Sequence, residues 1–279
     1  MAVSTLKKDF PPIRACLFDM DGLLIDSEDK YTICTNTMLQ RYGRPILPWS
    51  IKAQLQGRPG PAAHDIFHAW AQLPITDDQF YSEVRELQLQ HFPDSKPLPG
   101  VEKLLGDLAT ATVQGNEGSK IHIALATSSH ETNFKLKTAH LEDLFTVFPS
   151  HRRVLGDDER IPSGRGKPSP DIYLLALQTI NSSLEPGEKE IKPEECLVFE
   201  DSVPGVEAGR RAGMRVIWCP HPELRGEYKG KEEEVLAGRT GSGGEVDMHL
   251  VGEIGDGWAE HLESLVGFPY EKYGIVVQA

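Results

Sequence analysis

Three short, largely apolar runs, each ending abruptly in carboxylate or hydroxyl residues, constrain this chain more than any other feature. Ile13 to Phe18 runs into Asp19-Met20-Asp21-Gly22, Ile121 to Ala126 into Thr127 and Ser128, and Cys196 to Phe199 into Glu200 and Asp201. Short apolar runs bounded by such loops read as buried strands. Between them Val101, Leu104, Leu105 and Leu108 form a helix stripe, Asp171 to Ile180 and Val206 to Ala212 read as helices, and Val216 to Trp218 as a further strand. Strands alternating with helices imply right-handed crossovers and a Rossmann-like α/β core, its parallel sheet covered on both faces. The carboxyl ends of such a sheet form a ligand crevice, so the polar residues ending these strands are expected to meet. Asp19, Asp21, Glu200 and Asp201 gathered there would repel one another unless a cation held them, and an oxygen-only donor set suits magnesium.

The pattern differs between the first strand and the segment KPLPG at 96 to 100. Tyr31, Cys34, Met38 and Tyr42 recur at helical spacing; a second helix is expected around Ile66, Phe67 and Trp70, and a third along Phe80, Val84, Leu87 and His91. Residues 27–96 therefore read as an all-helical block inserted into a core formed by 1–26 and 97–279. Polar stretches at 114–119, 157–166 and 182–194 read as surface loops. The longest irregular stretch, 222–246, contains KEEE and a glycine-rich segment without the lysine and spacing of a phosphate-binding loop. Trp258, Leu262 and Leu265 suggest a final short helix.

Composition narrows the function. A formal charge of −13 argues against a nucleic-acid polymer as partner, because such binding needs basic surface. No segment approaches the roughly 20 apolar residues needed to span a bilayer, and the N-terminal residues lack the apolar core of a signal peptide. A cytoplasmic protein, with the nucleus as the alternative, is expected, as a monomer or weak dimer. Cys16, Cys34, Cys196 and Cys219 form no CxxC pair and read as reduced thiols.

Lys167 follows the glycines of SGRGKP and precedes a helix opened by Pro168, Ser169 and Pro170, a position suited to meeting an anion. A carboxylate nucleophile and a phosphate repel, so their reaction needs neutralising cations and donors on the transferring oxygens. Magnesium, Lys167 and Thr127 fill those parts.

The four segments LFDMDG, ALATSS, GKPSPDIY and VFEDSVPGVEAGRRAGM resemble, in order and spacing, the four motifs of the haloacid dehalogenase superfamily. The resemblance implies that Asp19 is the nucleophile that becomes an aspartyl-phosphate. It implies that Asp21 acts as general acid and then general base, its backbone carbonyl helping to ligate the metal. Thr127 and Lys167 would hold phosphoryl oxygens, and Glu200 and Asp201 would position the magnesium, with Asp201 the direct ligand. Met20, Ser128, Arg58 and His130 join Thr127 and Lys167 as candidate substrate-binding residues.

The helical block is similar to the cap of the phosphoglucomutase-like branch, where Gly57 and Arg58 fall at the usual substrate loop. Within that branch FDMDGLLIDSE, ALATSS, VLGDD and CLVFED look closest to the pseudouridine-5′-phosphatase group, whose relatives include glycerol-3-phosphatases and sugar-phosphate phosphatases. The implied substrate is a small phosphomonoester, pseudouridine monophosphate first. A sugar-phosphate mutase would be expected to carry a histidine shortly after the first motif, where this chain reads DSEDKY. A catalytically silent binder would not need Asp19, Asp21, Lys167 and Asp201 together, and a dehalogenase would need neither Asp21 nor magnesium.

Single residues also carry plainer readings. Thr127 and Ser128 can cap the following helix, His130 can simply open it, and Arg58 can sit on an exposed loop. His64 and His68 share a helix face at i, i+4, but no third ligand or HExxH pattern accompanies them, so a solvated or cap-facing pair is the reading.

Overall fold

The computed structural model describes residues 10–58, 60–241 and 250–278. Its strands are β1 (Ala15–Phe18), β2 (Thr112–Val113), β3 (Asn116–Lys120), β4 (His122–Ala126), β5 (Arg153–Val154), β6 (Cys196–Glu200), β7 (Arg215–Trp218), β8 (Ala259–His261) and β9 (Ile275–Val276). Six form one sheet in the order β5-β4-β1-β6-β7-β8, every neighbouring pair parallel. β1 is central, with Ala15 in register with His122 on one side and Cys196 on the other. Its alternating side chains serve two cores, Cys16 and Phe18 in one, Ala15 and Leu17 in the other. That double burial makes the run apolar at every position instead of every second one. On one side Phe18 stacks on Phe199 at 4.4 Å between ring centroids; on the other Tyr173, Val206 and Trp218 pack together.

The helices are α1 (Ser27–Arg41), α2 (Trp49–Leu55), α3 (Gly60–Ala71), α4 (Asp77–His91), α5 (Val101–Thr110), α6 (Glu131–Thr138), α7 (Glu142–Phe145), α8 (Asp171–Asn181), α9 (Val203–Arg211), α10 (Pro222–Glu227) and α11 (Glu232–Ala237). α1 to α4 pack among themselves, α1 against α4 and α2 against α3, around Cys34, Met38, Leu87 and Phe92 and around Leu39, Phe67 and Ala71. Thr76 caps α4 by accepting from the Gln79 amide, and Asp77 and Asp78 follow in its first turn, where the helix dipole favours acidic groups.

Several elements differ from the sequence reading. The segment around Trp258 is not a helix: Ala259–His261 is the edge strand β8, because the Val216 amide donates to Trp258 O and the Leu262 amide to Trp218 O. Pairing along an open sheet edge outweighs a three-residue apolar spacing. The 114–119 loop contains most of β3, which with β2 and β9 makes a small antiparallel sheet. The stretch 222–246 contains α10 and α11, closed by Gly238 at φ 71°; residues 242–249 lie outside the described residues. α2 went unread because it spans only seven residues and has no periodic stripe. All four cysteines are free thiols, three of them buried.

Among the described residues, no helix is long and apolar enough to cross a membrane.

Candidate active site

The carboxyl ends of β1, β4 and β6 hold Asp19, Thr127 and the pair Glu200 and Asp201. Lateral backbone bonds fix their level: the Asp19 amide donates to Phe199 O at 3.0 Å, and the Thr127 amide to Val154 O at 3.0 Å. Carboxylate oxygens of Asp19, Glu200 and Asp201 all lie within 4.8 Å of one another, and all three residues are buried.

Lys167 enters this cluster from the loop before α8. Its ammonium, 1% exposed, bonds Asp19 Oδ1, sits 2.7 Å from Glu200 Oε1 and donates to Ala126 O at 3.1 Å. Glu200 is heavily engaged: the Tyr173 hydroxyl donates to Oε1, and the Ser202 amide (3.3 Å) and hydroxyl (3.1 Å) donate to Oε2. Asp201 accepts from Gln56 Nε2. Glu200 is thus saturated by the protein, whereas Asp19 and Asp201 keep acceptor capacity for a ligand.

Electrostatics follow from burial. Asp19 is pushed up to about 7, first by desolvation and then by Glu200 and Asp21, against the pull of Lys167. Asp201 rises well above the carboxylate range through burial and the charges of Asp19 and Glu200. Burial alone would lower Lys167, but Asp19 and Glu200 outweigh it and hold the ammonium above its ordinary value. One cation among three buried carboxylates leaves negative charge uncompensated. The oxygen-only donors and the uncompensated charge fit a hard divalent cation such as magnesium, with Asp19 and Asp201 as the residues that would hold it.

Asp21 lies one turn of loop beyond Asp19. Ser27 Oγ donates to its Oδ1 at 2.5 Å, and Lys137 Nζ from α6 reaches the same oxygen at 2.5 Å. Lys137 is fully buried, its ammonium 5.0 Å from the Tyr31 ring centroid and 5.3 Å from that of Phe92. Burial acts to lower it, and Asp21 with Tyr31 more than reverses this. The loop is folded tightly by Met20, whose buried carbonyl accepts from the Leu24 amide at 2.9 Å. At Gly22, with φ 79°, a Cβ would stand 2.3 Å from Asp201 Oδ2, so only glycine lets the first and last motifs approach.

The remaining candidates are spread around this centre. Thr127 is buried and its Oγ1 accepts from the Ser129 amide at 3.1 Å, a local turn rather than a helix cap. Ser128 is half-buried, and His130 is exposed at the start of α6. Arg58 Nε donates to Gln54 O at 2.6 Å, and its charge acts on Glu207 of α9. Lys137 and Gln56 carry no sequence signal, because each stands in a helix or loop without a motif around it; Ser27 and Tyr173 sit inside FDMDGLLIDSE and GKPSPDIY, but only the fold brings their hydroxyls to Asp21 and Glu200.

A cleft of about 140 Å³ opens beside Asp201, lined by Gly22, Glu28, Gln56, Cys219 and His221 among others. A wider groove of about 780 Å³ between α8 and residues 184–193 contains none of the clustered carboxylates.

A family profile described as haloacid dehalogenase-like hydrolase matches residues 13–213. A Saccharomyces cerevisiae protein named "probable pseudouridine-5′-phosphatase" is 44% identical over 81% of this chain and 90% of its own. The Arabidopsis thaliana (DL)-glycerol-3-phosphatase 1 is 37% identical over 81% of this chain and 70% of its own. Among solved structures, CbbY from Rhodobacter sphaeroides in complex with phosphate superposes with a TM-score of 0.61 at 20% identity, covering 92% of this chain and 96% of that one, a likeness of fold. The chain belongs to the haloacid dehalogenase-like hydrolases, as an enzyme of their phosphatase class.

Proposed function

We propose that the protein is a magnesium-dependent phosphatase that hydrolyses a small phosphomonoester, pseudouridine 5′-monophosphate first, through an aspartyl-phosphate on Asp19. The observation that carries this reading is the buried set Asp19, Glu200 and Asp201 at the carboxyl edge of the sheet with a single ammonium, Lys167, among them.

Asp19 attacks the phosphorus, and the bond from phosphorus to the ester oxygen breaks. Asp21 gives its proton to the departing alcohol and then takes a proton from the water that attacks the acyl phosphate, freeing inorganic phosphate and Asp19. Thr127, Lys167 and Ser128, the last through its backbone amide, hold the phosphoryl oxygens, since the Thr127 and Ser129 amides are spent on Val154 O and Thr127 Oγ1. Bound magnesium would neutralise charge between nucleophile and phosphate. Glu200 orients Lys167, a role its four protein donors support.

Residues 27–96 act as a cap over a core of 1–26 and 97–279, with Met20, Arg58 and His130 bordering the substrate. Gln56 supports this, since it reaches from the helical block to Asp201. The protein works as a monomer or weak dimer, and its four free thiols fit a reducing compartment such as the cytoplasm.

A glycerol-3-phosphate or sugar-phosphate substrate is the second reading, favoured by the glycerol-3-phosphatase relative. Phosphate release from pseudouridine monophosphate, uridine monophosphate, glycerol-3-phosphate, 2-deoxyglucose-6-phosphate, glucose-1-phosphate and flavin mononucleotide, with magnesium or chelator, separates the two. Fastest release from pseudouridine monophosphate supports the first; no release from any ester would overturn both.

A further inference from the structure

We propose that the α3–α4 hairpin carries a second metal site, built from His64, His68 and Asp77, that takes a divalent transition ion of the zinc class. The two histidines lie one turn apart on α3, with ring centroids 4.0 Å apart. Asp77, in the first turn of α4, supplies the third ligand that the sequence around the histidines lacks. A ring nitrogen of each histidine and a carboxylate oxygen of Asp77 all lie within 4.8 Å of one another. Donors around a tetrahedral ion with bonds of about 2.1 Å stand about 3.4 Å apart, so closing the set takes a movement on the order of 1 Å. That movement falls on Asp77, whose side chain is 67% exposed and free to turn inward.

The surroundings resemble those of a ligated imidazole. The Tyr81 hydroxyl pairs with His64 Nδ1 at 2.9 Å, which leaves Nε2 facing Asp77 Oδ1 at 3.5 Å. An outer partner on one ring nitrogen fixes the ring so that the other can bind metal. His68 Nε2 is buried and has no hydrogen-bond partner among the described residues, an unmet need that a metal or a bound water would satisfy. Phe80 stands edge-on to His68 at 4.5 Å and Tyr81 stacks on His64 at 5.2 Å, walling the site on its apolar side. Two imidazoles and one carboxylate favour zinc, cobalt or nickel over magnesium, which prefers the all-oxygen cluster at the sheet edge. Three protein ligands leave a fourth position for water.

The test is titration of the tag-free, metal-stripped full chain with cobalt(II) in excess magnesium, reading the visible d–d absorption of a tetrahedral ion. One cobalt per chain is expected, displaced by zinc and not by magnesium. His64→Gln and His68→Gln should each abolish the band, and Tyr81→Phe should weaken binding about 10- to 100-fold. All three should keep wild-type phosphate release, since none belongs to the catalytic cluster. His64→Gln, at the more accessible ring, serves if His68→Gln does not fold. A missing band, a band that survives both histidine substitutions, or one that magnesium displaces would overturn the proposal.

Discussion

Lys137 Nζ lies 2.5 Å from Asp21 Oδ1, joining a fully buried ammonium on α6 to the second aspartate of the first loop across 116 residues of chain. With Ser27 on the same oxygen, Lys137 fixes where the Asp21 carboxyl points. Asp21→Asn should lower kcat by about 10²- to 10⁴-fold, the usual worth of a general acid–base. Lys137→Met should lower kcat at least tenfold while moving KM much less. In the Asp21→Asn background the Lys137 substitution should cost nearly nothing more, because the two act as one unit. Steady-state kinetics on the four proteins checks this, and full additivity would show that Lys137 serves packing alone.

The second expectation concerns pH. Asp19 and Asp201 have folded pKa values above their unfolded ones, so the folded chain holds protons that the unfolded chain releases. Their contribution to stability is fully present below about pH 4, the ordinary aspartate value, and is lost as pH rises through about 7 for Asp19. Without metal, Tm should therefore fall from pH 5 to pH 8, less steeply in Asp201→Asn. Added magnesium should raise Tm more at pH 8 than at pH 5, because it binds the ionised pair. Differential scanning fluorimetry with chelator or magnesium reads both slopes.

Gly22→Ala should be costly for two separable reasons. The left-handed backbone alone costs roughly 1–2 kcal/mol for a residue with a Cβ. The new methyl would also meet Asp201 Oδ2 at 2.3 Å. Tm should drop, and the magnesium concentration for half-maximal activity should rise at least tenfold. A loss of Tm with unchanged magnesium dependence would mean that Asp201 does not hold the metal.

Tyr173→Phe removes one of four donors to buried Glu200 and leaves Lys167 and Ser202 in place. Destabilisation of about 1–3 kcal/mol in urea is expected, the range for an altered buried polar group. Activity should fall modestly, because Lys167 keeps its carboxylate partner.

The strand-end residues were legible in the sequence because burial on both sheet faces leaves apolar runs that stop where the chain turns polar. Asp19, Thr127, Glu200 and Asp201 stand at those stops. Lys137 was not legible, because in ETNFKLKT it is one of two lysines on a short helix with no apolar stripe, and only the fold selects which one is buried. Gln56 reaches Asp201 from 145 residues away, and nothing local marks it. The Trp258 segment was misread because three apolar residues at helical spacing say nothing about an open sheet edge nearby. Asp77 escaped notice for a similar reason, since only the packing of α4 on α3 brings it to His64.

The most direct test of the mechanism is acid quench of the enzyme during turnover of pseudouridine monophosphate with magnesium, followed by mass analysis of the chain. The expected result is a phosphoryl adduct on Asp19, labile to hydroxylamine, absent in Asp19→Asn together with phosphate release. Release at the wild-type rate from Asp19→Asn would contradict a covalent role for that carboxylate.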